Sequence, residues 1–209
     1  MRLMKDKQKK KEEPRNHKAQ SLVEFAITLP VLLLLFSGLV EFGFALNYYL
    51  SLLDATREAA RYYSNFDPFL EDGSDNMAFY RGAAEEAYAN LDPTQRPGNE
   101  AYQGRIIALD RTTDDVLVSV FAWSDADGLV RYPGGGTFQL FGHGTSKFTN
   151  AMIEDEIASG SPNAGLLLVE VHYNYHQVLA LPFLSPFVPN PLLMRAYTIM
   201  PLSAAEPVE

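Results

Sequence analysis

The 209-residue chain has no cysteine. That removes disulfides, thiolate metal sites and cysteine nucleophiles from consideration. An extracytoplasmic location stays open, because about 140 residues can build a stable core without staples. Catalytic motifs are equally scarce. No Gly-rich phosphate loop, no GxSxG turn and no triad spacing is present. Gly134-Gly135-Gly136 has no lysine following at the place a phosphate loop needs one, so it reads as a chain break. Asp125-Ala126-Asp127-Gly128 begins like a calcium loop but lacks the glutamate further on. It reads as a plain turn. His172 and His176 lie four apart in a strand-like run, where they do not converge as on a helix, and only Glu170 is near in sequence. His143 sits between two glycines. We expect no catalytic residue, no metal site, no cofactor and no enzyme activity.

Charge is present but segregated. The formal net charge is -9. Residues 1–19 hold eight Lys or Arg and three acids, a net of +5, while the remainder carries nine basic and 23 acidic residues, a net of -14. So acidic a bulk repels phosphate, and we expect no nucleic-acid partner. Positive charge beside an apolar segment stays on the cytoplasmic side. The basic leader is therefore expected inside and the acidic bulk outside.

From Phe25 to Val40 no residue is charged. The core Leu29–Val40 is nearly all apolar, and the segment Phe25–Leu46 is long enough to span a bilayer at about 1.5 Å per residue. Gly43-Phe44-Ala45 offers a small-x-small signal-peptidase site. Glu41 and two Phe crowd it, and the helical pattern runs straight through, so we read an uncleaved anchor. Pro30 removes the partner of the Ala26 carbonyl. It reads either as a harmless kink or as a flexible point.

Two acids border the span. Glu24 lies at its inner mouth, where dragging a carboxylate toward the apolar core costs a few kcal/mol. That favours a partner charge on another chain, although capping of the helix N-terminus explains the same residue. Glu41 lies at the outer interface. It reads as solvated, with a contact to another helix as the alternative.

Beyond Leu46 the helix continues as an amphipathic stem. Leu46, Tyr49, Leu53, Thr56, Ala60 and Tyr63 recur at steps of three and four and define an expected core face. Tyr48 and Tyr49 suit a membrane interface. The helix should stop near Asn65, before Asp67-Pro68. The remainder reads as α+β. Residues 76–90 and 146–158 read as helices, the second through Phe148, Met152 and Ile153. Residues 105–109, 116–123, 129–132, 166–176 and 192–200 read as strands, and residues 203–209 as frayed. Three parts follow: a leader over 1–19, a transmembrane and stem helix over 20–64, and an outer α+β domain over 65–209.

The stretch KAQSLVEFAITLPVLLLLFSGLVEFG and the following DATREAAR resemble the TadE-like family, the pseudopilins or minor pilins of bacterial tight-adherence pilus systems. The resemblance covers roughly residues 18–64, with a weaker echo in the C-terminal run LLLVEVHYNYH, the Pro-rich LPFLSPFVPNP and LLMRAYTIMPL. It implies a pilin-like fold, with the stem helix packed on a small antiparallel sheet. It implies a single-pass protein of the bacterial inner membrane whose leader is cut by a prepilin peptidase between Ala19 and Gln20. Ala19 stands where glycine is usual. Glu24 then becomes the fifth mature residue, paired in assembly with the N-terminal amine of a neighbouring pilus or pseudopilin subunit. A membrane-tethered adhesin or binding domain is the alternative.

Overall fold

The computed structural model describes residues 17–104, 106–124, 128–156, 165–180 and 189–202. The chain divides into two compact units, residues 1–40 and 41–209. Helix α1, His17–Tyr63, contributes to both and runs through Pro30. In its apolar stretch the hydroxyl side chains of Thr28 and Ser37 are satisfied locally. They donate to the carbonyls of Glu24 and Leu33, at 2.8 and 2.6 Å. In the first unit the apolar side chains stand exposed, Leu33 at 54% and Leu35 at 62% among them. Among the described residues one helix is long and apolar enough to cross a membrane. It is Gln20–Tyr63, with mean hydropathy 2.2 and nothing buried in its most apolar window.

The second unit is built on a mostly Val- and Leu-lined sheet. Its strands are β1 (Asp115–Ser124), β2 (Gly128–Tyr132), β3 (Phe138–Gln139), β4 (Gly165–Tyr175) and β5 (Leu192–Leu202). The order is β2-β1-β4-β5, all antiparallel, and β3 pairs with β1 on the same edge as β2. Strand alternation sends Val116, Val118 and Val120 of β1 to one face with Leu167, Val169 and Val171 of β4. Against that face lie α1 and helix α2, Met77–Leu91. The opposite face carries Phe121 and Leu168, covered by Ile153 of the short helix α3, Asn150–Glu156. The expected α+β architecture, a long apolar helix followed by a small antiparallel sheet, is the one observed.

The stem packs in a different rotation from the one read in the sequence. Leu52, Ala55, Thr56, Ala59 and Ala60 are buried, whereas Leu46 and Tyr49 are exposed and Leu53 and Tyr63 only partly buried. The buried stripe thus runs Ala45, Tyr48, Leu52, Ala55 and Ala59, one residue or about 100° away from the expected line, which it rejoins at Thr56, Ala60 and Tyr63. Small side chains explain this. Ala55, Ala59 and Ala60 let the helix backbone approach the sheet, and the Thr56 hydroxyl meets that of Thr198 on β5 at 2.9 Å. Helix α2 uses the same device through Ala83, Ala84 and Ala87. Tyr63 crosses Gly82 so closely that a Cβ there would fall 2.1 Å from the phenol oxygen.

Other boundaries follow local chemistry. The side chain of Asn76 caps α2 by accepting from the Phe79 N–H at 3.4 Å. Asp92 closes α2 and caps a 3-10 turn at Pro93–Gln95. Residues 106–110 form no strand. The Ile107 N–H instead donates to the Leu91 carbonyl at 2.9 Å, and Ile107 and Leu109 drop into the core. Of the helix expected over 146–158, residues 150–156 are helical, with Ile153 buried and Met152 exposed. The leader residues 1–16, Arg105, the Asp125–Asp127 turn, residues 157–158 and 181–188, and the frayed end 203–209 lie outside the described residues.

Candidate functional site: the carboxylates of the long helix

Helix α1 carries both acids singled out in the sequence, and the structure treats them differently. Ala19 and Gln20, flanking the expected cleavage bond, lie in the first turn of α1. Gln20 and Glu24 are exposed one turn apart, and the Gln20 amide donates to Glu24 Oε1 at 3.1 Å. That is a local i,i+4 pair. Within its own unit Glu24 contributes nothing to a core.

Glu41 is not solvated, contrary to the first sequence reading. It is 8% exposed. Its Oε1 accepts the Tyr175 hydroxyl at 2.6 Å and the Val178 N–H at 2.9 Å. Its Oε2 accepts the Leu179 N–H at 2.8 Å. Tyr175 is the last residue of β4, and Val178 and Leu179 follow in the next loop. Burial pushes the Tyr175 phenol above its ordinary value, and the bond to Glu41 adds to this, so the hydroxyl remains a donor. Tyr48 stacks on Tyr173 at 5.9 Å and meets Tyr175 edge-on at 5.2 Å, closing the apolar side of the site. Three donors on one carboxyl group make a fixed joint between the helix and the end of the sheet. One signal for it stands in the sequence, an acid in an otherwise apolar helical face; the partners lie more than 130 residues away.

The remaining polar residues of the second unit hold loops. Asp115 is 1% exposed and accepts the N–H groups of Val116, Phe141, His143 and Gly144 at 2.7–2.9 Å. His143, between its two glycines, is therefore pinned, and its Nε2 lies 2.8 Å from the Arg111 carbonyl. Asp114 accepts the backbone N–H of Asp110 and both the backbone N–H and the side-chain amide of Asn174. Glu170 and His172, on one face of β4, approach to 3.7 Å. His176 is exposed beyond the strand. Among the described residues no group of three or more His, Cys, Asp or Glu is arranged to hold a metal ion.

No curated protein and no solved structure matches the chain. The family model that matches describes a TadE-like protein and covers residues 19–61, within the stretch that carries the resemblance. The match takes in Gln20, Glu24, Glu41 and the buried stem stripe through Ala60, and it is to the TadE-like family that the long helix of this chain is similar.

Proposed function

We propose that the chain is a pseudopilin or minor pilin of a tight-adherence pilus, made as a single-pass precursor in the bacterial inner membrane. The single observation that carries this reading is the coincidence of the TadE-like match, residues 19–61, with the one helix among the described residues that is long and apolar enough to span a bilayer. The basic leader stays in the cytoplasm and the acidic α+β domain lies outside. Prepilin peptidase removes residues 1–19, which frees the Gln20 amine. Glu24 then pairs with the same amine of a neighbouring subunit and sets the axial register of the helix bundle. The partners are the membrane, the peptidase and other pilus subunits. The chain itself performs no catalytic step.

Exposure of Glu24 supports the assembly role, since a group left outside its own core is available to another chain. The mature N-terminus is the test. Mass spectrometry of membrane-extracted protein should find a chain starting at Gln20. Intact residues 1–19 in cells with active prepilin peptidase would favour a tethered adhesin instead.

A further inference from the structure

The loop that Glu41 holds has an unusual composition. Residues 177–193 contain no Asp, Glu, Lys, Arg or His, in a chain whose residues 20–209 carry a net of -14. Leu192 packs against the core, but the other described apolar side chains of this stretch face outward. Val178 is 49% exposed and Leu179 36%, and Leu193, at the start of β5, is 46% exposed. Register places them at one end of the sheet, because Tyr175 pairs with Leu192 and Asn174 with Leu193. Glu41 fixes the depth of that end. It follows Val40, the last residue of the uncharged run, and the Val178 and Leu179 N–H groups bond directly to its carboxyl oxygens. A span of about 20 residues beginning at Phe25 ends near Phe44. The loop is thereby tied to a helix position at the outer edge of the bilayer.

We infer that Val178, Leu179 and Leu193 form a second membrane contact, seated in the outer leaflet of the same bilayer that α1 crosses. This rests on the reading of α1 as a membrane span. An acidic domain is repelled by anionic headgroups, so an uncharged end is the part that approaches lipid without penalty. Exposed aliphatic side chains at that end gain by leaving water. The contact also accounts for the form of the Glu41 joint. A carboxylate near hydrocarbon requires donors, and the N–H groups of a loop that would otherwise need partners at the same depth supply them. The domain is thus held on the membrane at two points, the helix and the loop. Extraction of the subunit requires the loop to leave the leaflet as well.

The absence of cysteine makes the test direct. Full-length single-cysteine variants L33C, E71C, L179C and L193C carry an environment-sensitive fluorophore. They are reconstituted at low protein-to-lipid ratio in phosphatidylethanolamine–phosphatidylglycerol vesicles, with or without spin-labelled lipids. Fluorescence of Trp123 checks that each is folded. Leu33 reports the span, and Glu71 reports the aqueous domain beyond the end of α1. The expected result is that labels at 179 and 193 are quenched by lipids spin-labelled near the headgroup. Their quenching by aqueous iodide should be several-fold weaker than at 71. Iodide access at 179 and 193 equal to that at 71, with position 33 lipid-quenched, overturns the loop contact and leaves the span standing. Failure of lipid quenching at 33 overturns the span reading itself. Labels at 179 and 193 shielded from both quenchers indicate a protein neighbour and also overturn the lipid contact.

Discussion

Glu41 on α1 and Tyr175 at the end of β4 are 134 residues apart in sequence and joined by a buried 2.6 Å hydrogen bond. Both oxygens of the carboxyl group are occupied, so no simple substitution preserves the set of bonds. Glu41→Ala leaves the Tyr175 hydroxyl and two backbone N–H groups without their acceptor, and we expect a loss of about 1–3 kcal/mol. Tyr175→Phe keeps the ring against Tyr48 and removes one donor, so it should cost less. The double variant should fall short of the sum of the two single losses, since each removes the same bond. Denaturant unfolding of the full chain in micelles measures all three. Strict additivity would mean that the bond contributes no coupling.

The rotation of the stem makes a second prediction about neighbouring leucines. Leu52 is fully buried, whereas Leu53 is only partly so. Leu52→Ala should destabilise the second unit by about 2–5 kcal/mol, and Leu53→Ala by roughly half of that or less. Equal losses would place the core face midway between the two residues and contradict the observed packing.

This error of rotation marks what the sequence does and does not carry. Elements with long, clean periodicity were legible. The alternation of Leu167, Val169, Val171, Tyr173 and Tyr175 identified β4, and proline or Asx punctuation located the ends of α1 and α2. The face of the stem was not. Weighting by hydrophobic bulk selects Leu46, Tyr49 and Leu53, while close approach to a sheet selects alanines. Strand β3 has two residues and exists only through its pairing with Leu117 and Val118, so no local pattern announces it. The apolar run 106–109 imitates a strand but caps the core beneath α2. The placing of Gln20 and Glu24 in the first turns of α1, at the mouth of an apolar segment, was legible. The role of Glu41 was not, because its three donors come from the far end of the chain.

Asp92 supplies a pH-dependent prediction outside the long helix. Burial raises its carboxyl pKa, but bonds from the Thr94 hydroxyl, the Gln95 amide and the Thr94 N–H outweigh this and hold it below the ordinary value. A depressed folded pKa means that the carboxylate form stabilises the fold. That stabilisation is present above the unfolded pKa of about 3.9 and fades as pH falls through the lower folded value. Asp92→Asn should therefore lower the melting temperature near neutral pH, and its deficit should shrink on acidification below the unfolded pKa. A deficit that stays constant across that range would show that the capping bonds do not depend on the charge.

The last prediction separates the two acids of α1. Glu24 is exposed, and its carboxyl contact is the Gln20 amide one turn away, so folding of the second unit does not draw on it. Assembly into a bundle of apolar helices is different. Dispersion contacts between such helices change little as one slides past another, and axial register is poorly specified by them. On the proposed assembly role, a charge pair between Glu24 and a neighbour's Gln20 amine would select one register, because any other would leave a charge unpaired in a medium of low dielectric. Glu24→Ala should leave membrane insertion, leader removal and the melting temperature unchanged while lowering incorporation with other pilus subunits. Glu24→Asp should be intermediate, since its shorter side chain reaches less far. Glu41→Ala should show the reverse order of effects, with melting lowered first. Co-purification with partner subunits, measured beside thermal melting of the same preparations, distinguishes the two. Normal incorporation by Glu24→Ala would remove the assembly role and leave Glu24 as a polar cap where the helix enters the membrane.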